Sequence, residues 1–348
     1  MKDNLVKLKS FQEDALASIL AILSAFFVCG LMLAFIGHNP FAAYGALFRG
    51  AFGNTHKIAE TLVKTIPILL MALGTSIAFK CKIWNIGGNG QYTFGAITSI
   101  AVGLYLDLPP IILLPITFIA AVLGGLLIGG FVGVLKAKLN ANEVITTLML
   151  DYIMLYILSY MVNGPMMDPE GFGFPQTPIL PEGLRLMTVI PGTRLHFGIV
   201  IAVVMMVLTI YFWKSKLGFR IRLVGEDQDV ALYSGIHVPK HLIMTMMISA
   251  GFAALAGWVE VFGLHHRLQE NLAGNLGSIA IVVALLGRLN PIGIGIGALF
   301  FAALSVGGAS MQRYEGVPYS LVGIIQGLVI IFVISKVVYE RKKEKTIG

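Results

Sequence analysis

Long apolar stretches recur along this 348-residue chain and are separated by short polar breaks. A helix that crosses the hydrocarbon core of a bilayer needs roughly 20 mostly apolar residues. Stretches of that kind recur about ten times, which predicts an all-α fold, a polytopic membrane helix bundle with about ten transmembrane helices. The candidate spans are 15–37, 60–80, 91–106, 110–135, 143–162, 195–213, 242–264, 277–286, 292–310 and 319–334.

The composition excludes a soluble globular protein, because 57% of the residues are hydrophobic and only 12% are charged. The first apolar stretch, 15–37, is too long for a signal-peptide core and lacks a small-residue cleavage site, so we expect it to be retained as a span. The two cysteines, Cys29 and Cys81, provide no disulfide framework and are predicted to be free thiols.

Two places suggest broken or half helices. The stretch 277–286 is short for a full crossing, and the segment 85–89 before the third span is rich in glycine. Spans two to five and seven to ten are compatible with two related halves, although direct similarity between them is weak. The internal repeat is therefore a conjecture.

The basic residues indicate an orientation rather than a nucleic-acid partner, because they lie at span ends and form no single patch. The positive-inside rule places both termini in the cytoplasm. It predicts a cytoplasmic N-terminus at 1–14, a transmembrane domain at 15–338 and a basic cytoplasmic tail at 339–348. Seven basic residues fall on or near the outer side: Arg49, Lys57, Lys64, Arg185, Arg194, Arg267 and Arg313.

The outer loop at 163–194 contains six prolines, which resist helix formation and favour a compact, lid-like surface segment. Such a loop is a candidate contact for an external partner.

A first polar segment lies between two apolar runs at 84–91, where three glycines accompany the amide side chains of Asn85, Asn89 and Gln91. Amides offer donors and acceptors to a neutral polar solute without the larger desolvation cost of charges. The alternative is an ordinary turn at the membrane interface.

A second polar segment opens the span 143–162. Asn142 is predicted to cap this helix, with Glu143 favourably placed in its first turn. Asp151 lies about two turns further into apolar sequence, where a carboxylate must face the bundle interior or be protonated. Lys64 and Glu260 are closer to span ends, where they are expected to reach the interface and have structural roles.

A third segment, 214–241, is the longest predicted cytoplasmic connection between spans. Asp227 is a candidate N-cap and Gly235 a candidate C-terminal stop for one short helix, tethered by 214–219 and 238–241. A short helix of mixed charge favours docking of a cytoplasmic protein over a solvated loop. Glu226 and Asp229 are candidate contacts for basic groups of such a partner.

The sequence contains no P-loop and no glycine-flanked serine elbow, the motifs that would indicate ATP hydrolysis or acyl transfer. The tandem His265-His266 is a weak metal candidate, so no metal site and no catalytic residue are predicted. Energy for active transport must then come from another subunit or an ion gradient.

The segment Asn85-Ile86-Gly87-Gly88-Asn89-Gly90-Gln91 resembles the Asn-Ile-Gly-x-x-Gly-Gln signature of permease subunits of bacterial ABC importers in the branched-chain amino-acid, ribose and nucleoside group. Arg222-x-x-Gly225, with Ala231 and Gly235-Ile236, resembles the coupling segment of that family. The segments 142–149 and 284–293 look most like the nucleoside branch. The resemblance extends over 17–338.

Three positions depart from the family pattern: Asp227 stands where Asn is common, Val230 where Ala is usual and Asn89 where Glu is frequent. These departures do not change the predicted class of protein, but they make the resemblance less specific about the substrate.

The resemblance implies a translocation subunit, not an enzyme, in a bacterial cytoplasmic membrane. It also implies a second permease subunit, a cytoplasmic ABC ATPase that binds ATP and Mg²⁺, and an extracellular or periplasmic substrate-binding protein. Residues expected along the substrate pathway are Asn85, Gly87, Gly88, Asn89, Gln91, Glu143, Thr146, Thr147 and Asp151. Residues expected to couple to the ATPase are Arg222, Gly225, Glu226, Asp229, Ala231 and Gly235.

An ion-coupled secondary transporter is the main alternative, with Asp151 or Glu143 as the proton or sodium site. A membrane-embedded enzyme or scaffold is a third class.

Overall fold

The computed structural model describes residues 20, 22–329 and 331, and within them the regular structure is helical. The predicted N-terminal segment, the start of the first span, the end of the last span and the basic tail lie outside the described residues. The α-helices are α1 (Ile22–Phe35), α2 (Pro40–Phe52), α3 (Thr55–Lys80), α4 (Gly88–Tyr105), α5 (Pro110–Leu139), α6 (Glu143–Asn163), α7 (Gly198–Lys214), α8 (Lys216–Glu226), α9 (Gln228–Tyr233), α10 (Val238–Glu260), α11 (Leu276–Leu286), α12 (Pro291–Glu315) and α13 (Ser320–Val329).

Five helices are long and apolar enough to cross a membrane: α3, α5, α6, α12, and α10 together with the π-helical turn Val261–His265. Helices α7 and α8 add a sixth candidate if the pair, bent by 71°, is one span. Helices α1, α11 and α13 are shorter and apolar. The all-α membrane bundle is confirmed, and each predicted span contains a helix, while the number of full crossings stays a prediction.

Two helices differ from the sequence predictions. Helix α2 was not predicted; Asn39 caps it by accepting from the backbone N–H of Phe41, and Pro40 occupies its first turn. Helix α8 takes up much of the segment predicted to be a tether, because Ser215 caps it and Ile221 and Val224 are buried.

The chain divides into two compact units, one formed by 62–299 and the other by the described residues of 1–61 and 300–348. In the second of these, Gly50 lies against Ser310 and Gly307 against Leu47, so α2 and α12 approach closely. In the unit 62–299, α10 is central and packs against α4 and α5.

Glycines on one face of α5 set the distance between α5 and α10. A Cβ on Gly125, Gly129 or Gly133 would meet backbone atoms of α10 at 2.4–2.7 Å. The absence of side chains lets the two backbones touch, as in other tightly packed membrane helices. This contact fixes the position of the α10 residues that enter the candidate site.

The loop 163–194 is irregular apart from a 3-10 turn at Glu182–Leu184, which confirms the predicted resistance to helix. Its backbone pairs with the chain that follows α10: Leu180 N donates to His266 O and Leu186 N donates to Phe262 O, each at 2.8 Å. Three leucines of the loop are themselves buried: Leu180, Leu184 and Leu186. The loop is therefore a packed cover over this end of α10.

Candidate functional site: a polar segment against α6 and α10

The polar segment 85–91 begins as irregular chain after α3 and becomes helical at Gly88. Asn85 and Gln91 are buried and face each other: Asn85 Nδ2 donates to Gln91 Oε1 and Gln91 Nε2 donates to Asn85 Oδ1, both at 2.9 Å. Asn85 Nδ2 also donates to Ser249 Oγ on α10 at 2.8 Å. The two amides thus form a clasp that closes the turn and ties it to α10.

Asn89 and Gly88 connect the same segment to α11. Gly277 N donates to Asn89 Oδ1 at 2.7 Å, and Asn89 Nδ2 donates to Gly274 O at 3.4 Å. A Cβ on Gly88 would lie 3.5 Å from the Cα of Gly277. The Asn89 side chain therefore holds the beginning of the short helix α11, the predicted half helix, against the beginning of α4.

One face of α6 runs along this segment, because Glu143, Thr147 and Asp151 are spaced four residues apart. Asp151 Oδ1 accepts a hydrogen bond from the backbone N–H of Gly90, in the first turn of α4. A carboxylate is favoured there by the exposed N–H groups and the positive end of the helix dipole. Of the two predicted alternatives, facing the bundle interior or being protonated, the structure shows the first, because Asp151 points towards α4.

Glycines allow this approach. A Cβ on Gly90 would lie 2.8 Å from the Cα of Asp151, and one on Gly87 would lie 2.7 Å from the carbonyl oxygen of Thr147. Thr147 Oγ1 donates to Glu143 O at 2.6 Å and accepts from Ile86 N at 3.4 Å. Side chains at either glycine would push α4 away from α6.

The first turn of α6 is fixed by two further contacts. Asn142 Oδ1 accepts from Val144 N at 2.9 Å, so the predicted N-cap is confirmed. Glu143 is buried and its Oε2 lies 2.9 Å from Lys136 Nζ on α5. Thr146 lies on the neighbouring face, and its hydroxyl bonds to the carbonyls of Asn142 and Glu143. The structure therefore brings together every predicted pathway residue except Thr146.

Glu260 departs from its predicted place. Its carboxylate is buried, with its Oε1 3.7 Å from Lys64 Nζ and 3.4 Å from His265 Nε2. The prediction that Glu260 reaches the interface is wrong, because α10 continues into the π-helical turn Val261–His265 and the loop 163–194 covers that end. The sequence contained a signal for this buried ion pair, because a carboxylate within an apolar helix is expected to pair with a basic group.

Ser249, Tyr92 and Thr93 were missed by the sequence analysis. Ser249 completes the amide clasp, and a single serine in an apolar span carries no distinctive signal. The hydroxyls of Tyr92 and Thr93 are buried without a hydrogen-bond partner in the described structure. They add unused polar groups to α4 one and two residues after Gln91.

A second site lies at the other predicted functional segment, where α8 and α9 form a two-helix knob. Asp227 ends α8 and caps α9, accepting from Asp229 N at 2.8 Å and Val230 N at 3.1 Å. Gly235 has a φ of +76°, and Ile236 N donates to Ala231 O at 3.0 Å, which closes the C-terminus of α9. Both predicted stop signals are confirmed, although the segment contains two helices rather than one.

The knob is attached to the end of α3. A Cβ on Gly225 would overlap the carbonyl oxygen of Lys80 and the backbone of Cys81. Lys82 Nζ donates to Glu226 O at 2.9 Å, and Arg222 Nη2 donates to Trp213 O at 3.0 Å. These contacts join α8 to the end of a membrane-spanning helix, α3.

The outer surface of the knob is available for contact. On the inner face of α9, Ala231 is buried. Three other residues of the helix are exposed: Val230, Leu232 and Tyr233, the last of them at 92%. Glu226 and Asp229 are exposed beside them. An apolar surface with an acidic rim is a typical protein contact.

Apolar spanning helices, an enclosed polar face and an exposed knob at one end define a multi-pass membrane transport subunit. The chain belongs to the family described as "Branched-chain amino acid transport system / permease component", whose model matches residues 57–334. This confirms the predicted class, an ABC importer permease in the cell membrane, which is a translocation subunit and not an enzyme.

The relatives include permeases with different named solutes. The chain is 33% identical to the glucose ABC transporter permease protein TsgB13 of Haloferax volcanii, over 93% of this chain and 88% of the relative. It is 32% identical to the nucleoside ABC transporter permease protein NupB of Lactococcus lactis subsp. cremoris, over 94% and 93%. It is also 32% identical to the guanosine ABC transporter permease protein NupP of Bacillus subtilis, over 92% and 93%.

A chain of the solved structure "PsaBC from Streptococcus pneumoniae in complex with Fab" has a similar fold, with a TM-score of 0.50 and 12% sequence identity. The match covers 84% of this chain and 94% of that one. At this identity the likeness concerns the fold alone.

Proposed function

We propose that this permease imports a nucleoside or a related sugar-containing solute, driven by a separate ATPase. Two relatives that cover nearly the whole chain are named for nucleosides and one for glucose, and a sugar is common to these solutes. The observation that carries the proposal is the polar segment 85–91, whose backbone N–H groups at Ile86 and Gly90 bond to Thr147 and Asp151 of α6. Its amide side chains bond to each other, to α10 and to the beginning of α11.

Neutral hydrogen-bonding groups suit such a solute, since hydroxyls and bases need donors and acceptors rather than fixed charges. In the described arrangement Asn85 and Gln91 bond to each other, so they serve as a hinge that closes the path. Tyr92 and Thr93 carry unused hydroxyls and are the groups free to meet a solute when α4 separates from α10. Asp151 orients the first turn of α4 through Gly90.

Energy enters through the knob of α8 and α9. We propose that a cytoplasmic ABC ATPase, which binds ATP and Mg²⁺, docks on the exposed surface of α9. A second permease subunit completes the path, and an extracellular or periplasmic binding protein delivers the solute near the loop 163–194. Both termini then lie in the cytoplasm.

Uptake into proteoliposomes tests this function. The chain, reconstituted with the second permease subunit, the ATPase and the binding protein, is expected to accumulate labelled guanosine or glucose when ATP is supplied on the ATPase side. Accumulation should persist with ionophores that collapse proton and sodium gradients, and should stop with an ATPase that cannot hydrolyse ATP. Uptake that needs the ion gradient and ignores ATP would establish the secondary transporter instead.

Cysteine labelling tests the orientation. Phe172→Cys in the loop 163–194 and Tyr233→Cys on α9 replace side chains that are 97% and 92% exposed. In intact cells a membrane-impermeant maleimide is expected to modify the first and spare the second, and the reverse pattern would invert the topology. The native thiols give little background, because both are buried and burial raises the pKa of Cys81 to about 11.

A further inference from the structure

A cavity of about 1070 Å³ opens in the unit 62–299 where the apolar helices α3 and α7 end and α12 begins. Lys80 is the last residue of α3, Lys214 the last of α7 and Pro291 the first of α12, and all three line the cavity. Since the apolar stretches stop here, the cavity lies at the level of the phospholipid headgroups.

The cavity is strongly positive. No carboxylate lines it, and within the part of the chain that the structure describes none of its basic side chains forms an ion pair. Lys80 Nζ lies 4.2 Å from the centroid of the Trp213 ring, so this ammonium group is held over an aromatic face. The basic residues that line the cavity are Lys80, Lys214, Lys216, Arg220 and Arg222.

Neutral groups at the cavity also favour an anion. Ser215 and Asn290 cap the N-termini of α8 and α12, and both residues line it. The positive ends of these two helix dipoles therefore meet at the same place. Trp213, which is 8% exposed, adds a buried indole N–H without a described hydrogen-bond partner.

An apolar surface leads from the cavity along the spans. On α7, Val203, Val207 and Leu208 are exposed, and on α12 Ile292 and Ile296 are 59% and 68% exposed. The two helices touch, because a Cβ on Gly295 would lie 3.0 Å from Met206 Sδ. A ligand with an anionic head and apolar tails fits both parts, whereas a free anion would use only the first.

We propose that this cavity binds the phosphate of an anionic phospholipid, with its acyl chains along the exposed faces of α7 and α12. The phosphate lies among the basic side chains and the two helix N-termini. Because the cavity wall includes both sides of the 71° bend between α7 and α8, bound lipid stabilises the position of α8.

Native mass spectrometry of the full-length protein tests the proposal. The purified protein, exchanged into mixed micelles with equal phosphatidylglycerol and phosphatidylcholine, is expected to retain phosphatidylglycerol selectively. The double variant Lys216→Gln/Arg220→Gln removes two exposed cavity cations. It should weaken this retention about 25-fold, on the basis of roughly fivefold per basic side chain near a membrane surface.

The matched control Lys138→Gln/Lys240→Gln removes two exposed cations elsewhere and should retain lipid as the native protein does. Unchanged thermal unfolding of both variants excludes a loss of fold. Equal retention of the two lipids, or native retention by the cavity variant, would overturn the proposal. Binding of inorganic phosphate with no preference for phosphatidylglycerol over phosphatidylcholine would assign the cavity to a free anion, and loss of only ATPase binding would assign it to a protein partner.

Discussion

Gly225→Val is expected to reduce ATP-driven uptake to less than about a tenth of the native rate. The residue has no room for a side chain, because even a Cβ would overlap the backbone of Lys80 and Cys81. Overpacking of this kind typically costs about 1–3 kcal/mol unless the helix moves. Movement of α8 would separate the knob from α3, so the measurements are uptake, co-purification of the ATPase and substrate-stimulated ATP hydrolysis.

Gly251→Val is the matched control, because Gly251 lies in α10 where the nearest atom to an added Cβ, Leu126 Cδ2, is at 3.5 Å. It adds the same side chain to the same unit and should cause a much smaller loss. Ala231→Arg, which places a charge beneath α9 at a fully buried position, should act like Gly225→Val. Glu226→Gln should be mild, since exposed charge pairs contribute only about 0–1 kcal/mol.

A variant that leaves packing intact separates coupling from folding. Tyr233 is 92% exposed at the end of α9, so Tyr233→Ala should leave thermal unfolding unchanged and weaken ATPase binding. Native uptake, ATPase binding and hydrolysis in both Gly225→Val and Ala231→Arg would remove the knob from the mechanism.

Local signals made much of this structure predictable. Helix ends depend on residues close by in the sequence. Asn142 and Asp227 cap the N-termini of α6 and α9, and Gly235 ends α9 with a positive φ, as these residue types favour. The apolar runs likewise locate helices without knowledge of their neighbours. Helix α8 was not predicted, because basic residues interrupt its apolar pattern. Ile221 and Val224 lie three residues apart on one face of this helix and are buried in the unit.

Contacts between distant parts of the chain were not predictable. Asn85 and Ser249 are 164 positions apart, and they meet only because α10 packs against α4. The same holds for Glu260, whose burial depends on the loop 163–194 folding back over the end of α10. Residue type indicated that these groups are polar; only the packing decided which partner each one has.

The amide clasp leads to a prediction with a large effect on both stability and transport. Asn85→Ala or Gln91→Ala leaves the other amide buried without its main partner, which should cost about 1–3 kcal/mol. The double variant removes both polar groups, so its loss of stability should be clearly smaller than the sum of the single losses. Thermal or denaturant unfolding of the four proteins gives the coupling energy.

Transport by the same variants tells whether the clasp also gates the path. Asn85 and Gln91 lock the turn before α4 to α10 through Ser249, so every variant that breaks the lock should depress uptake, the double variant included, while the ATPase still binds. Ser249→Ala removes only the link to α10 and should give a smaller loss than either amide variant. Strictly additive stability losses would contradict the direct amide pair. If the clasp opens during transport, removing it must change the rate of opening and therefore the rate of uptake. Normal uptake in both single variants would mean that the segment is only a structural turn.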